Sequence, residues 1–429
     1  MKNLKILILG HCSYYTIANY AEMLKQNVEG VKVTVADPFN PSGKALSEKE
    51  LGVFDRVIHI PSKREIKIGI NDRIKSAGVI IKNKIGLRDF LFNMISFRFK
   101  KVRYTIDSFA ENSIHGKMLN ELFRDYDVFH FHYAAPCYLY PIKYVPENKV
   151  KIISIWGSDL FQTSGIKNYS DQLSAFELSD FIIVNTLEKR EIFLSKFGRV
   201  FADKIRFANF GVSECKLARM ESFQKSGNAK EFKKKYGIRD EKAVIIIGYN
   251  ASSKQNHLAI IKAMNGIDAA IKARLHLIFP LTYGFSIERE DYIMQIKNAC
   301  SGAGFDFTII DDYIPEEEYF GMLYSCDIKI NLRETDSMNS AMLESAFAGN
   351  ILINGAWHPY GILRRLGVYC REAVNIEELD KLVSEIVNNL KNEKSKTAPN
   401  AELIRSYFSS VNTGMQWKKF FDEVRRLVK

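Results

Sequence analysis

Short apolar segments rich in β-branched residues alternate with longer helical stretches along almost the whole chain of 429 residues. The segments are nearly continuous in apolar character, which is typical of strands covered on both faces. Alternation of this kind predicts an α/β fold with parallel, doubly wound sheets. The predicted strands are LKILILG, VKVTVAD, DRVIHI, DVFHFHY, KIISIW, FIIVNT and KIRFANFG, then AVIIIGY, LHLIFPL, FDFTIIDD, DIKINL and NILING.

The alternation lapses after Gly211, through a polar stretch that suits a linker and a helical lead-in, and then restarts. A chain of this length also exceeds one comfortable core, so two Rossmann-like domains are predicted. The predicted bounds are 1–212 for the N-terminal domain, 213–408 for the C-terminal domain, and 409–429 for a last helix that packs back on the N-terminal domain. Parallel sheets bind ligands at the carboxyl ends of their strands, so we expect the functional cleft between the two sheets there.

Positive charge is concentrated in one segment. The formal net charge is +11, and residues 63–103 contain twelve Lys or Arg against three Asp or Glu, interleaved with large apolar side chains. Such a segment fits an anionic membrane surface, where each Lys or Arg contributes about 1 kcal/mol. A solvated helical face is the alternative. No nucleic-acid recognition motif accompanies the charge, so nucleic acid is not an expected partner.

Two features that the sequence lacks, a membrane-spanning segment and closely spaced cysteines, bear on where in the cell the protein is expected. No segment approaches the roughly 20 apolar residues that a membrane-spanning helix needs. The six cysteines lie far apart without metal-ligand spacing, as reduced cytoplasmic thiols do. The chain is therefore predicted to be cytoplasmic and, from its basic segment, peripheral on the inner face of the plasma membrane.

The segment NLRETDSMNSAMLESAFAGNILING is the most informative for chemistry. Its strand is predicted to end near Leu332 and its helix to start at about Ser337. Asp336 then takes the N-cap position, and Glu344 lies two turns further along. The backbone N–H groups of Ser337 and the two residues after it are predicted to form a diphosphate site at the helix start. An ordinary capped helix is the alternative.

Asp336 and Glu344 have the spacing of a carboxylate-x7-carboxylate element. The segment resembles that element in nucleotide-sugar glycosyltransferases of the GT-B fold, especially family 4. The resemblance implies that Glu344 holds the donor ribose and that Asp336 lies near the donor sugar. Asp stands at 336 where that family usually has Glu, which leaves the sugar open.

Three other segments, GYNASSKQNHLAIIKAM, FPLTYG and IWGSDLF, each follow or end a predicted strand. They resemble segments of the lipid-linked 4-acetamido-fucose transferases (family 56) of bacterial surface-polysaccharide and O-antigen synthesis. That resemblance implies a peripheral membrane enzyme that acts on a glycan acceptor linked to a polyprenyl diphosphate. Families 4 and 56 differ in stereochemical outcome, so retention and inversion both stay open.

The residue types, their positions after strands and the resemblances together assign roles to individual residues. Asp159 is the candidate general base, with a loop-stabilising carboxylate as the alternative, and Lys254 is expected to stabilise the leaving phosphate. The predicted catalytic residues are Asp159, Lys254 and Asp336. The predicted donor-binding residues are Gly248, Asn250, Ser252, Ser253, Asn256, Thr282, Tyr283, Tyr313, Ile314, Ser337, Met338, Asn339 and Glu344. The predicted acceptor-binding residues are Gly10, His11, Tyr14 and His132.

No metal and no cofactor is expected beyond the nucleoside diphosphate sugar. Asp125 and Asp127 spell the D-x-D signature of the other glycosyltransferase fold, but they merely enter a predicted strand. Lys254, helix N-termini and Arg333 are the candidates that meet the charge of the leaving group. His132 is expected at a cleft rim, and His130 is interpreted as a satisfied interior histidine.

The predicted function is therefore a metal-independent glycosyltransferase of the hexosyl or N-acetylhexosaminyl type. Two other functions fit the same fold. If the chain is a nucleotide-sugar epimerase, product forms from the donor alone. If it is a non-catalytic scaffold, Asp159→Asn leaves glycan synthesis unchanged.

Overall fold

The computed structural model describes residues 3–10, 14–36, 52–58, 66–82, 99–285 and 288–428. Thirteen strands lie in these residues, numbered in chain order. They are β1 Leu4–Gly10, β2 Val31–Ala36, β3 Arg56–Ile58, β4 Val128–His132, β5 Val150–Ser154, β6 Phe181–Val184, β7 Ile205–Phe207, β8 Ala243–Ile247, β9 Leu275–Pro280, β10 Asp306–Ile310, β11 Ile328–Asn331, β12 Ile351–Gly355 and β13 Cys370–Ala373.

The strands form two sheets. One has seven strands in the order β3-β2-β1-β4-β5-β6-β7, and the other has six in the order β10-β9-β8-β11-β12-β13. Both orders reverse direction beside the first strand of the sheet, as in doubly wound folds, and the neighbouring strands run parallel. All twelve strands predicted from the sequence are confirmed, although most are shorter than predicted.

Helices fill the connections between the strands. The α-helices are Tyr14–Asn27, Ile70–Lys82, Phe99–Phe123, Pro136–Leu139, Ser158–Phe161, Ile166–Leu178, Leu187–Phe197, Glu214–Ser226, Ala229–Lys235, His257–Met264, Ala269–Lys272, Arg289–Ala303, Glu316–Ser325, Ser340–Phe347, Gly361–Leu366, Leu379–Asn388, Leu390–Ser395, Asn400–Phe408 and Ser410–Leu427. Short 3-10 turns span Tyr140–Tyr144, Arg199–Lys204 and Ser253–Gln255. None of the helices in the described ranges is long and apolar enough to cross a membrane.

The chain divides into two compact units. Unit 1 contains Met1–Ile155, Ser164–Ile183 and Lys418–Lys429, and unit 2 contains Trp156–Thr163 and Val184–Trp417. The short segment that carries Asp159 therefore groups with unit 2. The domain bounds at 212 and 408 stay predictions.

The core of unit 2 lies on both faces of the six-stranded sheet. Alternate residues of β8 point to opposite faces, so Ile245 and Ile247 join one buried cluster while Val244 and Ile246 join the other. The stretch after Gly211 that was predicted as a linker and helical lead-in largely forms the helix Glu214–Ser226, whose Leu217 and Met220 are buried in the second cluster. Two core-facing residues at helical spacing are a weak signal in a polar sequence, so the extent of this helix was not predicted.

One strand of the second sheet was not predicted. β13 forms an edge of the sheet beside β12, and its central residues Arg371 and Glu372 are half-buried and exposed. An edge strand needs no continuous apolar run, and charges on it discourage pairing with other chains. The segment therefore lacked the pattern by which the other strands were recognised.

Candidate functional site

Two loops of unit 2 lie side by side at the carboxyl end of the six-stranded sheet. They follow the neighbouring strands β8 and β11, and we call them the first loop (248–256) and the second loop (332–339). The Asn256 side-chain amide donates to the Leu332 carbonyl oxygen at 2.7 Å, and the Glu334 N–H donates to the Lys254 carbonyl oxygen at 3.2 Å. The segments predicted to carry Lys254 and Asp336 are thus brought together.

The first loop is turned sharply at Gly248, where φ is +65°. A Cβ there would lie 2.5 Å from the His257 Nε2 atom, so the position requires glycine. Inside the loop the Asn250 Oδ1 atom accepts from the Ser252 N–H at 3.1 Å and from the Gln255 amide at 3.0 Å. This network holds the turn that presents Ser253 and Lys254.

Lys254 is exposed, and its ammonium group donates to the side-chain oxygen of Gln162. Gln162 in turn donates to the Thr335 hydroxyl at 2.6 Å, so it links the two loops. Gln162 is a neutral amide, and no carboxylate of the described residues pairs with Lys254. Its positive charge is therefore available to an anion.

The second loop corrects one prediction. The helix begins at Ser340 with Asn339 as its N-cap, and the Asn339 side chain accepts from the Met342 N–H. Ser337 and Met338 precede the helix, and Met338 has a φ of +56°. Asp336 is consequently not the helix cap, and the predicted diphosphate site at a helix starting at Ser337 is wrong in that detail. Three residues, 337–339, lie between Asp336 and the helix, because Asn339 takes the cap position.

Asp336 organises this loop. Its carboxylate is only 7% exposed and accepts from the Ser337 N–H at 2.7 Å, the Asn331 amide at 3.2 Å and the Asn339 amide. The Tyr360 hydroxyl accepts from the same Asn331 amide at 3.3 Å, and burial raises the pKa of that tyrosine well above its usual value. Asp336 thus positions the second loop, and its role near a donor sugar stays a prediction.

Glu344 lies on the helix Ser340–Phe347 and is buried. One of its carboxylate oxygens accepts from the Lys216 ammonium at 2.6 Å and the other from the Tyr319 hydroxyl at 2.6 Å. Since a carboxylate offers about four lone-pair positions, this geometry fixes its orientation and leaves further acceptor positions. The sequence did not indicate Lys216 or Tyr319, because they come from separate helices and carry no motif.

Residues after β12 also reach the second loop, and sequence reasoning missed them. The Trp357 indole N–H and the His358 Nε2 atom both bond to the Arg333 carbonyl oxygen at 2.9 Å. Burial lowers the pKa of His358, so the neutral imidazole is favoured, with its proton on Nε2. A Trp-His pair directly after the strand NILING was the signal that could have revealed this contact.

Asp159 is buried within its own loop, and its role as a general base stays a prediction. Its side chain has no exposed surface and accepts from the backbone N–H groups of Trp156, Gly157 and Leu160 at 2.6–3.1 Å. A base must reach the proton that it removes. The contacts instead match the loop-stabilising alternative. The buried Lys189, which the sequence did not single out, has its pKa lowered to about 8 by burial, opposed by the charges of Asp159 and Asp336.

The structure describes only some of the residues that were predicted to bind the acceptor. Gly10 ends β1 and pairs in register with His132, Tyr14 begins the helix Tyr14–Asn27, and His11 lies outside the described residues. His132 is fully buried, not at a rim, and burial lowers its pKa to about 3. The expected rim position is therefore not found, because the His132 ring packs against the buried Tyr20 ring, with 5.0 Å between the ring centroids, and acceptor binding by His132 stays a prediction.

His130 is the interior histidine that was predicted. Its Nδ1 atom bonds to the Tyr20 hydroxyl at 2.9 Å and its Nε2 atom to the Ser154 hydroxyl at 2.7 Å. Burial lowers its pKa well below the usual value. Asp127, of the D-x-D pattern, accepts from the Lys5 N–H at 3.0 Å. Within the described ranges no cluster of three His, Cys, Asp or Glu could hold a metal ion.

The remaining donor-side residues border the first loop and β10. Tyr283 is 56% exposed and its carbonyl oxygen accepts from the Ala251 N–H at 2.7 Å, which ties the Thr282–Tyr283 segment to the first loop. Tyr313 is 86% exposed, beside the half-buried Ile314. Exposed rings are available for stacking on a nucleobase, and that role stays a prediction.

Comparison of the structure with solved structures identifies the architecture. The fold is similar to that of HepE from Anabaena in complex with UDP, with a TM-score of 0.68 at 10% identity over 99% of this chain and 100% of that chain. A glycosyltransferase from Rickettsia africae ESF-5 gives a TM-score of 0.66 at 13% identity over 99% of both chains. Sucrose-phosphate synthase from Thermosynechococcus elongatus gives 0.62 at 12% identity over 99% of this chain and 100% of that one. The chain has the GT-B fold.

The predicted GT-B fold class is thereby confirmed. No family model matches the chain, and no curated protein matches it in sequence. At identities of 10–13% the GT-B likeness shows the fold alone. The narrower resemblance to families 4 and 56 stays a prediction.

Proposed function

We propose that the chain is a glycosyltransferase that transfers a sugar from a nucleoside diphosphate sugar to a lipid-linked glycan acceptor. The single observation that carries the proposal is the pairing of the two loops at the carboxyl end of the six-stranded sheet. It places an unneutralised cation, Lys254, beside the loop of Asp336. Four of the similar GT-B structures contain UDP or a UDP-sugar, which supports a UDP-sugar as the first donor to test.

The donor roles follow from this geometry. The leaving diphosphate develops negative charge as the bond to the sugar breaks, and Lys254 is the group that stabilises it, without a metal ion. Glu344, held by Lys216 and Tyr319, keeps acceptor positions for the ribose hydroxyls. Tyr283 and Tyr313 are candidates to stack on the base. With Asp159 buried, no base for the acceptor hydroxyl is assigned, and retention and inversion both remain compatible with the site.

The proposed acceptor and cellular role come from the sequence resemblance and from exposed residues of unit 1. The likeness of three sequence segments to family 56 favours surface-polysaccharide or O-antigen synthesis at the inner face of the plasma membrane. In unit 1, Ile70 is 74% and Ile74 65% exposed, and the neighbouring Lys67 and Lys75 are exposed as well. Isoleucines flanked by lysines suit insertion into an anionic lipid surface. Most of the rest of residues 63–103 lies outside the described residues.

A thermal-shift panel of nucleoside diphosphates and nucleotide sugars tests the proposal. A ligand that binds only the folded chain at 100 times its Kd stabilises it by about 2.7 kcal/mol, so the donor raises the melting temperature. Lys254→Ala is expected to lower turnover, whereas Lys297→Ala, an exposed lysine of the helix Arg289–Ala303, is the matched control. A panel in which no nucleotide raises the melting temperature contradicts the proposal. Product formed from the donor alone indicates the epimerase instead.

A further inference from the structure

Trp357 is the most exposed of the three tryptophans of the chain. Its side chain and backbone together are 38% exposed, whereas Trp417 is fully buried and Trp156 is half-buried. It lies two residues after the end of β12, at the carboxyl end of the six-stranded sheet. A single exposed aromatic residue is ordinary on a protein surface. What sets Trp357 apart is that its ring is exposed and also held in one orientation.

One face of the indole is covered by the chain itself. A Cβ built on Gly355 would lie 2.4 Å from the Cε2 atom of Trp357, 2.5 Å from Cζ2 and 2.7 Å from Cδ2. The three bonds of Cε2 all lie in the ring plane, so an approach this close to Cε2 comes from above the ring face. Gly355 therefore lies under one face, and the exposed surface of the ring is on the opposite face and the outer edge. Only glycine leaves room for the ring at this position.

The ring is also held at its edges. The indole N–H donates to the Arg333 carbonyl oxygen at 2.9 Å. The His358 ring stands at 64° to the indole with 5.3 Å between the ring centroids, and His358 bonds to the same carbonyl oxygen. A side chain that is already ordered loses little conformational entropy when a ligand contacts it. Trp357 is thus preorganised for a contact on its open face.

The position of Trp357 is next to the groups proposed to bind the diphosphate. β12 pairs with β11, and the second loop follows β11. Neighbouring strands lie about 4.8 Å apart, so the residues that follow β12 lie one strand spacing from the second loop. The Glu334 N–H of that loop bonds to the Lys254 carbonyl oxygen of the first loop. Because a donor sugar is covalently bonded to its diphosphate, a diphosphate held at Lys254 brings the sugar within reach of the Trp357 ring.

We propose that the open face of Trp357 is a platform on which the pyranose ring of the donor sugar stacks. The face of an aromatic ring carries partial negative charge, and the C–H groups on one side of a sugar ring carry partial positive charge. The polar N–H of the indole is directed to the protein, so the ligand meets only the apolar face. The inference rests on the proposed function, since it names the residue that recognises the sugar part of the same donor.

Acrylamide quenching of tryptophan fluorescence tests the inference on the full chain. The probes are UDP, GDP and dTDP, compared with UDP-glucose, UDP-N-acetylglucosamine, GDP-mannose and dTDP-glucose. A sugar nucleotide of the accepted base is expected to shield Trp357 and to lower the quenching, whereas the diphosphate of the same base is not. In Trp357→Phe the shielded fluorophore is absent, so the difference between the two ligands should disappear.

Calorimetry supplies a second measurement, the ratio of the affinity for a sugar nucleotide to that for its diphosphate. Trp357→Leu loses both the ring and the indole N–H, and it is expected to lower this ratio about 3- to 10-fold, the range for one aromatic contact. Trp357→Phe also loses the N–H but keeps a flat ring, so it should lower the ratio less than Trp357→Leu does. Phe207→Leu, at an aromatic residue of β7 that is 45% exposed, is the control and should leave the ratio unchanged.

Each outcome supports or overturns the inference. An unchanged affinity ratio in a folded Trp357→Leu variant overturns it, while the proposed function stands. Equal losses in Trp357→Leu and Trp357→Phe also overturn it, because the N–H bond and not the ring face then matters. Equal shielding by diphosphate and sugar nucleotide, or shielding by neither, overturns it in the unaltered chain, where no variant has to fold. Absence of any nucleotide binding rejects the proposed function, and the inference with it.

Discussion

The buried Glu344–Lys216 pair offers a test of how the donor site is held together. The Glu344 side chain is 5% exposed and that of Lys216 15%, with 2.6 Å between the ammonium and the carboxylate. Removing one partner of a buried pair costs about 3–5 kcal/mol, because the other charge stays buried. Lys216 retains some contact with water, so we expect about 3 kcal/mol for Lys216→Met, near the lower limit. For a domain of 150–250 residues this corresponds to a fall in Tm of about 6–12 °C.

The chain contains a matched control for this variant. Glu318 also accepts from a lysine and a tyrosine, Lys235 at 2.5 Å and Tyr236 at 2.6 Å, but there the lysine side chain is 58% exposed. Exposed pairs contribute about 0–1 kcal/mol, so Lys235→Met is expected to lower Tm by no more than a few degrees. Burial is then the main variable that differs between the two variants.

Scanning calorimetry of the full chain provides the assay, with the transition of unit 2 followed separately where two transitions are seen. A double-mutant cycle compares the variant that has both Lys216→Met and Glu344→Leu with the two single variants. The double variant should lose less folding free energy than the sum of the two single losses, by at least about 1 kcal/mol. Glu344→Gln should also weaken nucleotide binding several-fold if the carboxylate holds the ribose. Equal effects of Lys216→Met and Lys235→Met, or strictly additive single changes, would refute the reasoning.

Two further predictions concern pH and membranes. Burial lowers the pKa of Lys329 to about 8 from 10.5. Between pH 8 and 10.5 the lysine is therefore protonated in the unfolded chain but neutral in the folded chain. The free energy of unfolding consequently rises with pH across this range, by about 3 kcal/mol in all. Lys329→Met should therefore show a smaller increase of Tm between pH 7 and 10 than the unaltered chain, and an equal increase contradicts the assignment. Charge reversal of Lys67 and Lys75 should weaken sedimentation with phosphatidylglycerol vesicles about tenfold or more, whereas reversal of the exposed Lys225 and Lys230 of unit 2 should not. Undiminished sedimentation of the first variant contradicts membrane contact through this face.

Several features of the site were predictable because they depend on local patterns. The apolar runs located β8 and β11, and parallel strands place the residues that follow them at the same edge of a sheet. Lys254 and Asp336 are expected in one region of the fold for this reason. The glycine at 248 was likewise predictable, since the turn after a strand needs a positive φ there.

The features of the site that could not be predicted depend on residues that are not neighbours in the sequence. Asp336 and Asn339 are both good N-caps, and only the loop geometry decides between them in favour of Asn339. Asp159 looks like a catalytic carboxylate in IWGSDLF, but its burial against three backbone N–H groups depends on how that loop closes. His132 was expected to be exposed because strand periodicity gives the direction of a side chain and not what covers it.

Hydrophobic periodicity, a property of short windows of the chain, was sufficient to predict two doubly wound α/β halves, the strands of both sheets except an edge strand, and the segments that meet at the carboxyl end of the second sheet. The narrower GT-B class came from the resemblance to glycosyltransferase families. Which charges are neutralised depends instead on the folded chain. Glu344 meets Lys216 from a segment 128 residues away, whereas Lys254 and Arg333 meet no hydrogen-bonded carboxylate in the described residues. Coulombic compensation depends on distance in space and on burial, and neither can be derived from the order of the residues.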